Sequence, residues 1–250
     1  MTTAPLLYVC VRPQQGAAAA EYESFRAAAH LDSSQLVQLD LVRDPLPADA
    51  LENYSGFFVG GSPFNVTDPE STKTDVQRRL ESDLERIAAG VMAAPSADSP
   101  AALFTCYGIG VLTRMLGGEV SRAFPEDTGP VTIDLTPDGE SDPLMGMLAR
   151  RFTALTAHKE GSARVPEGAT LLATNEGCPV QAYRVGDRLY AAQFHPEPTT
   201  RAFTERMAVY RDDGYFPAND FDTVAGRVLS ASVTEPVRLI RAFAAAFGPA

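Results

Sequence analysis

Three side chains carry the first hint of chemistry: Cys106, His195 and Glu197. Cys106 follows the apolar run "AALFT" and precedes "YGIGVL", the start of a helical pattern. In an α/β sheet, ligands gather outside the carboxyl ends of the strands, and the N–H groups that open a helix favour negative charge. A thiol on that turn could attack a carbonyl, as the serine on the strand–helix turn of α/β-hydrolases does. It could equally be a small buried hydrophobe, as most free cysteines are. His195 lies in "QFHPE" at a strand end, with Glu197 two residues on. Residues i and i+2 of a strand point the same way, so the carboxylate can orient the imidazole. A nucleophile, a base and an acidic orienter are the general parts of an activated nucleophile.

Such residues need a frame that brings positions 106 and 195 together. The stretches "LLYVCV" (6–11), "QLVQLDL" (35–41), "SGFFVGGSP" (55–63) and "AALFTC" (101–106) read as strands. Helices fall between and after them. "GAAAAEYESFRAAAH" (16–30) is the first, and "STKTDVQRRLESDLERIAAG" (71–90) has Val76, Leu80, Leu84 and Ile87 at helical spacing with Gly90 as its stop. "YGIGVLTRMLGG" (107–118) is another, with Gly117 and Gly118 as its cap and Gly108 easing the turn after the cysteine. This alternation predicts an α/β fold with a mostly parallel, doubly wound sheet flanked by helices, to which a small antiparallel strand region is added. Beyond residue 129 come five short strand patterns, at 130–136, 152–158, 169–175, 179–185 and 188–195. Gly186-Asp187 in "RVGDRLY" marks a hairpin between the last two. The remainder reads as two or three helices broken at "DDGYFP" and "VTEP". The expected organisation is a catalytic domain over residues 1–200 and a helical extension over 201–250 packed on it.

Composition narrows the partners. The 250 residues include 32 acidic and 21 basic side chains, a formal charge of −11, with the basic ones scattered. Nucleic-acid binding would need a basic face, so no nucleic acid is expected. No stretch approaches the roughly 18 apolar residues of a membrane span, and "MTTAPLLYVCVRPQQ" has no basic leader pattern. No membrane is therefore expected as a partner, and the cytoplasm is the expected location. The three cysteines, Cys10, Cys106 and Cys178, have no CxxC spacing, which argues against a disulfide framework or a zinc site. Cys10 reads as core and Cys178, in "NEGCPV", as structural. No metal and no cofactor is expected. The three histidines, His30, His158 and His195, leave few candidates for a base.

Taken together, "FTCYGIG" and "FHPE" resemble the class I glutamine amidotransferases, whose nucleophile motif is G-x-C-x-G-x-Q and whose base motif is F-H-P-E. Cys106 and Gly108 match the first, and Phe194, His195, Pro196 and Glu197 match the second throughout. The strand end "VGGSP" resembles the family's Gly-rich element at Gly61, Ser62 and Pro63, and "TAHKE" resembles its S-H-x-D strand at His158, Lys159 and Glu160. The order of motifs agrees over roughly residues 5–200, nearest to the stand-alone, GMP-synthase-like members. The resemblance implies a flavodoxin-like fold and a Cys-His-Glu triad. In it Cys106 is the nucleophile, His195 the general base and then acid, and Glu197 the orienter. It implies a thioester formed by attack on the side-chain amide of glutamine, with backbone N–H groups of Ser62 and Tyr107 holding the oxyanion. Gly61, Pro63, Gly108, His158, Lys159 and Glu160 would border the substrate.

Two positions depart from that pattern. Phe104 stands where the family has its first glycine, and Gly110 where it has the glutamine that helps to bind substrate. A missing polar reader bears on the substrate more than on the nucleophile. One expectation is therefore glutamine hydrolysis supplying ammonia to a synthetase in another chain, because this sequence has no ATP-binding P-loop. A second is a stand-alone γ-glutamyl hydrolase or peptidase acting on a γ-glutamyl amine or peptide. A third, from a different class, is a non-catalytic binding or regulatory module, which would have no need of all three triad residues.

Overall fold

The computed structural model describes residues 4–93 and 99–249. Four apolar segments become parallel strands: β1 (Leu6–Cys10), β2 (Leu36–Asp40), β3 (Gly56–Val59) and β4 (Ala101–Thr105). β1, β3 and β4 are buried along their whole length, because helices cover both faces of the sheet. Five more strands follow: β5 (Glu126–Leu135), β6 (Arg151–His158), β7 (Ala169–Thr174), β8 (Ala182–Val185) and β9 (Leu189–Ala192). They join the first four in one nine-stranded sheet of order β2-β1-β3-β4-β9-β8-β7-β5-β6. The strand β9 lies parallel to β4 and antiparallel to β8, so it is the seam between the two halves. The sheet has four parallel and four antiparallel strand pairings, so the antiparallel part is larger than a short appendage.

The helices are α1 (Gln15–Ala29), α2 (Ala50–Asn53), α3 (Asp75–Ala93), α4 (Tyr107–Met115), α5 (Pro137–Ser141), α6 (Thr200–Val209), α7 (Phe221–Ser230) and α8 (Val237–Phe247). On one face of the sheet, Phe25 of α1 and Phe243 of α8 pack with Tyr8 and Phe58. On the other, Leu80, Leu84 and Ile87 of α3 and Ile109 and Leu112 of α4 cover Val9, Val59 and Phe104. A smaller cluster sets Phe203 and Met207 of α6 and Val228 of α7 against Leu155 of β6. The chain breaks expected at "DDGYFP" and "VTEP" separate these last three helices. Among the described residues, no helix is long and apolar enough to cross a membrane.

Two glycines have roles other than those the local pattern suggests. Gly90 does not stop α3; it sits inside the helix, where an added Cβ would collide with a Leu51 methyl. Its lack of a side chain lets α2 pack closely there. Gly108 does not make the turn after the cysteine either, because Cys106 itself takes the positive φ of 51°. Gly108 instead admits α4 against β3 and β4: a Cβ there would meet Phe104 at 3.1 Å and Val59 at 3.3 Å. Gly117 does take a positive φ of 75°, and the Gly118 N–H bonds back to Thr113 at 2.8 Å, closing α4 as the two glycines suggest.

The helices beyond residue 200 cover the same sheet that carries the first four strands, and we propose that 201–250 does not fold apart from it. Phe243 is fully buried, with its ring 4.9 Å from that of Phe58. Phe243→Ala is expected to lower unfolding free energy by about 3–5 kcal/mol in a single cooperative urea transition. A separate transition for the C-terminal helices would contradict their integration.

Candidate active site

The ends of β1, β3, β4 and β9 converge at the crevice where α/β proteins place ligands. Cys106 follows β4 with φ 51° and ψ −104°, a conformation that costs a non-glycine residue about 1–3 kcal/mol. Its N–H is held by the Ala192 carbonyl at 2.8 Å, and its Sγ lies 3.9 Å from the Ala157 carbonyl. The strain lifts the sulfur off the sheet at the first turn of α4. His195 continues the line of β9, and its N–H bonds to Leu155 of β6 at 2.9 Å. Its Nδ1 lies 3.2 Å from Glu197 Oε1, which leaves the other ring nitrogen for the nearby Cys106 sulfur. The i, i+2 spacing thus sets the carboxylate against the imidazole.

Glu197 belongs to a larger buried array. Arg206, on α6, donates from Nη1 to Glu197 at 2.8 Å and to Glu21 at 3.1 Å. Glu21, on α1, also accepts from Arg12 at 2.7 Å and from the Tyr8 hydroxyl at 2.6 Å. Arg12 in turn donates to the Tyr210 hydroxyl at 3.0 Å. All four charged groups are at most 6% exposed. Glu21, His195 and Glu197 could place three ligand atoms within 4.8 Å of one another. Two guanidinium groups already neutralise those carboxylates, so the arrangement is that of an ion-pair network and not of a cation site.

These charges tune the pair they support. Burial acts to lower the His195 pKa, but the charges of Glu197 and of the Cys106 sulfur outweigh it and raise it to about 9. Burial acts to raise the Glu197 pKa, but His195 and Arg206 hold it down at about 2. The elevated His195 value stabilises the fold fully below the ordinary 6.5, and that contribution is lost as pH rises through about 9. The depressed Glu197 value stabilises it above the ordinary 4.5, and that contribution is lost as pH falls through about 2.

Two cavities meet at Cys106. One, enclosing about 40 Å³, is lined by His195, Arg206 and the aromatic side chains of Phe203, Tyr210, Tyr215 and Phe216. The other, enclosing about 20 Å³, is lined by Tyr107, Gly110, His158, Lys159, Glu160 and Gln193. Cys106, Ser62, Ala157 and Tyr215 line both. The N–H groups of Ser62 and Tyr107, beside the sulfur, have no backbone acceptor among the described residues. The Ser62 hydroxyl is engaged by the Val11 carbonyl at 2.7 Å. Gly61 lines neither cavity but packs against the site: a Cβ there would press on Arg12, His195 and Cys106 within 3.3 Å.

The other expected residues divide. Glu160 is buried and braces the loop after Ser62, accepting from the N–H groups of Val66 at 2.7 Å and Thr67 at 3.0 Å. His158 has both ring nitrogens occupied, by the Glu160 carbonyl and by Glu126, each at 2.8 Å. Lys159 bonds to the Asp213 carbonyl at 2.8 Å and lies over the Tyr215 ring at 4.4 Å, fastening the segment after α6. Pro63 and Gly108 line neither cavity. Of the remaining histidine and cysteines, His30 closes α1, and the Cys10 and Cys178 thiols are pushed up to about 11 by burial. At Gly110 a side chain would meet Val66 at 3.0 Å and Glu160 at 3.4 Å, so those two residues take the room of a reader there. Glu21, Arg12, Arg206 and Tyr215 were not foreseen. Glu21 and Arg206 lie on the buried faces of α1 and α6, and a charge on an apolar helical stripe is the signal that marks them.

The glutamine amidotransferase class-I family model matches residues 21–209, and the chain belongs to that family. Gamma-glutamyl peptidase 3 of Arabidopsis thaliana is 28% identical over 156 residues, which are 59% of this chain and 56% of that protein. The glutamine-hydrolysing GMP synthase of Aeropyrum pernix is 27% identical over 176 residues, 68% of this chain and 30% of that protein. The chain thus spans little more than half of the first relative and under a third of the second. Among solved structures, a glutamine amidotransferase from Thermotoga maritima has a TM-score of 0.72 at 18% identity, covering 97% of both chains. One from Methylobacillus flagellatus has a TM-score of 0.70 at 19% identity, covering 98% of this chain and 94% of its own. These share the fold.

If Glu197 holds the His195 proton, NMR titration of the three imidazoles will show one near pH 9 in the wild type. In Glu197→Gln that value is expected to fall by about one unit or more, since burial then works against the charged ring with less opposition. No fall would remove Glu197 from this role.

Proposed function

We propose that the chain is an amidohydrolase that cleaves the side-chain amide of glutamine or of a related γ-glutamyl compound through a thioester on Cys106. The observation that carries this reading is the meeting, in one crevice, of a positive-φ cysteine with a histidine held by a buried carboxylate. Family membership supports the reaction class, and so do the names of the two relatives, one a γ-glutamyl peptidase and the other glutamine-hydrolysing.

The Cys106 sulfur attacks the γ-carbonyl carbon, and the carbonyl oxygen takes up negative charge beside the Ser62 and Tyr107 N–H groups. A donor of this kind contributes about 3–4 kcal/mol to lowering a barrier. His195 then gives its proton to the departing nitrogen as the C–N bond breaks. Water, deprotonated by the same imidazole, attacks the thioester, the C–S bond breaks, and glutamate leaves. Glu197 orients the ring and stabilises the imidazolium throughout. With glutamine as substrate the departing group is ammonia, and a synthetase in another chain would accept it. The cytoplasm suits three free cysteines, since thiols there stay reduced. The third alternative, an idle module, would leave the strain at Cys106 and the buried charges behind His195 without purpose.

Cys106→Ala and His195→Ala should each lower glutamate release from a γ-glutamyl amide by about 10⁴-fold or more, with circular dichroism unchanged. Release that survives the Cys106 substitution would remove that residue from the reaction.

A further inference from the structure

The aromatic cavity at Cys106 is larger and more apolar than ammonia requires. The acyl carbonyl must point its oxygen at the Ser62 and Tyr107 N–H groups and its leaving nitrogen at His195. Tyr107 lines only the Glu160 cavity, and His195 lines only the aromatic one. The glutamyl portion therefore occupies the Glu160 side, and the group leaving with the nitrogen enters the aromatic chamber. Ammonia needs a cavity of about 10–15 Å³, whereas this chamber encloses about 40 Å³ and continues into open space along its aromatic wall. Phe203, Met207, Tyr210, Tyr215 and Phe216 give it an apolar wall, while Arg12 and Arg206, which also line it, are already paired with Glu21 and Glu197.

The outer part of that wall comes from residues beyond the family match, which ends at 209. Lys159 and Thr128 tie it down, the first to the Asp213 carbonyl at 2.8 Å and the second to the Tyr215 carbonyl at 3.2 Å. Tyr215 stands beside the nucleophile: burial, and then the Cys106 sulfur, push its phenol above the ordinary range. Aromatic surface facing the leaving nitrogen suits an amine that is itself apolar. We infer that the chamber is a leaving-group subsite, and that the substrate is a γ-glutamyl amide of an apolar, aromatic-sized amine. This rests on the amidohydrolase reading above. The balance is unchanged: amide and water give glutamate and the free amine, which carries away the proton from His195.

The test compares kcat/KM for glutamine, γ-glutamyl methylamide and γ-glutamyl benzylamide, in wild type and in Cys106→Ala, Phe216→Ala and Met207→Trp. In the wild type, benzylamide turnover is expected to exceed that of the other two by about tenfold or more. Phe216→Ala, which opens the wall, and Met207→Trp, which fills the chamber, should each lower the benzylamide-to-glutamine ratio. Thermal melting identifies a variant that fails to fold, and the other then decides. Cys106-dependent turnover of glutamine with benzylamide no better would overturn the subsite and leave the amidohydrolase standing. No Cys106-dependent turnover of any of the three would overturn both.

Discussion

The site depends on a buried alternation of charge that runs from Arg12 through Glu21 and Arg206 to Glu197. Each of these groups loses several kcal/mol of hydration on burial, and only neighbours of opposite sign and well-placed hydrogen bonds offset that loss. Two guanidinium groups face two carboxylates, so the array is balanced without His195. A proton on the imidazole is then stabilised by Glu197 and opposed by Arg206, and the result is a value near 9. The array also has a mechanical effect. Arg12 follows β1, Glu21 is on α1, Glu197 follows β9 and Arg206 is on α6. Losing one member would strand the others, at a cost of about 3–5 kcal/mol, so fold and site share the same bonds.

Against that frame, Cys106 is held in a conformation it would not choose. Its neighbours over-determine it: the N–H is bound by β9, Thr105 bonds across to the Val59 carbonyl at 2.8 Å, and α4 packs tightly through Gly108. These contacts sustain about 1–3 kcal/mol of strain and place the sulfur where two cavities meet. Glu160 does comparable work for the opposite wall, since its carboxylate fixes the loop that follows Ser62. Gly110 is compatible with that use, because a longer side chain would press on both Val66 and Glu160.

How legible each part was follows from the range of the interactions. The pairing of His195 with Glu197 could be read because "FHPE" is contiguous and strand geometry alone sets the carboxylate against the imidazole. Buried parallel strands betray themselves as unbroken apolar runs, as β1 and β4 do. By contrast, Arg206 and Glu21 are 185 positions apart and meet only in the folded chain. Gly90 reads as a helix stop until Leu51, from a distant segment, explains it. The turn at the cysteine was foreseen, but assigned to Gly108, because a positive φ at a non-glycine residue leaves no mark in composition. The role of Tyr215 depends on how a long loop lies across the crevice, which no local pattern encodes.

Whether this network makes Cys106, alone among the three buried cysteines, a nucleophile toward γ-glutamyl groups is decided by peptide-mapping mass spectrometry after treatment with a glutamine-like electrophile. An adduct is expected on Cys106 and none on Cys10 or Cys178, with labelling strongly slowed in His195→Ala. Equal labelling of the three thiols, or labelling of Cys106 indifferent to His195, would contradict it.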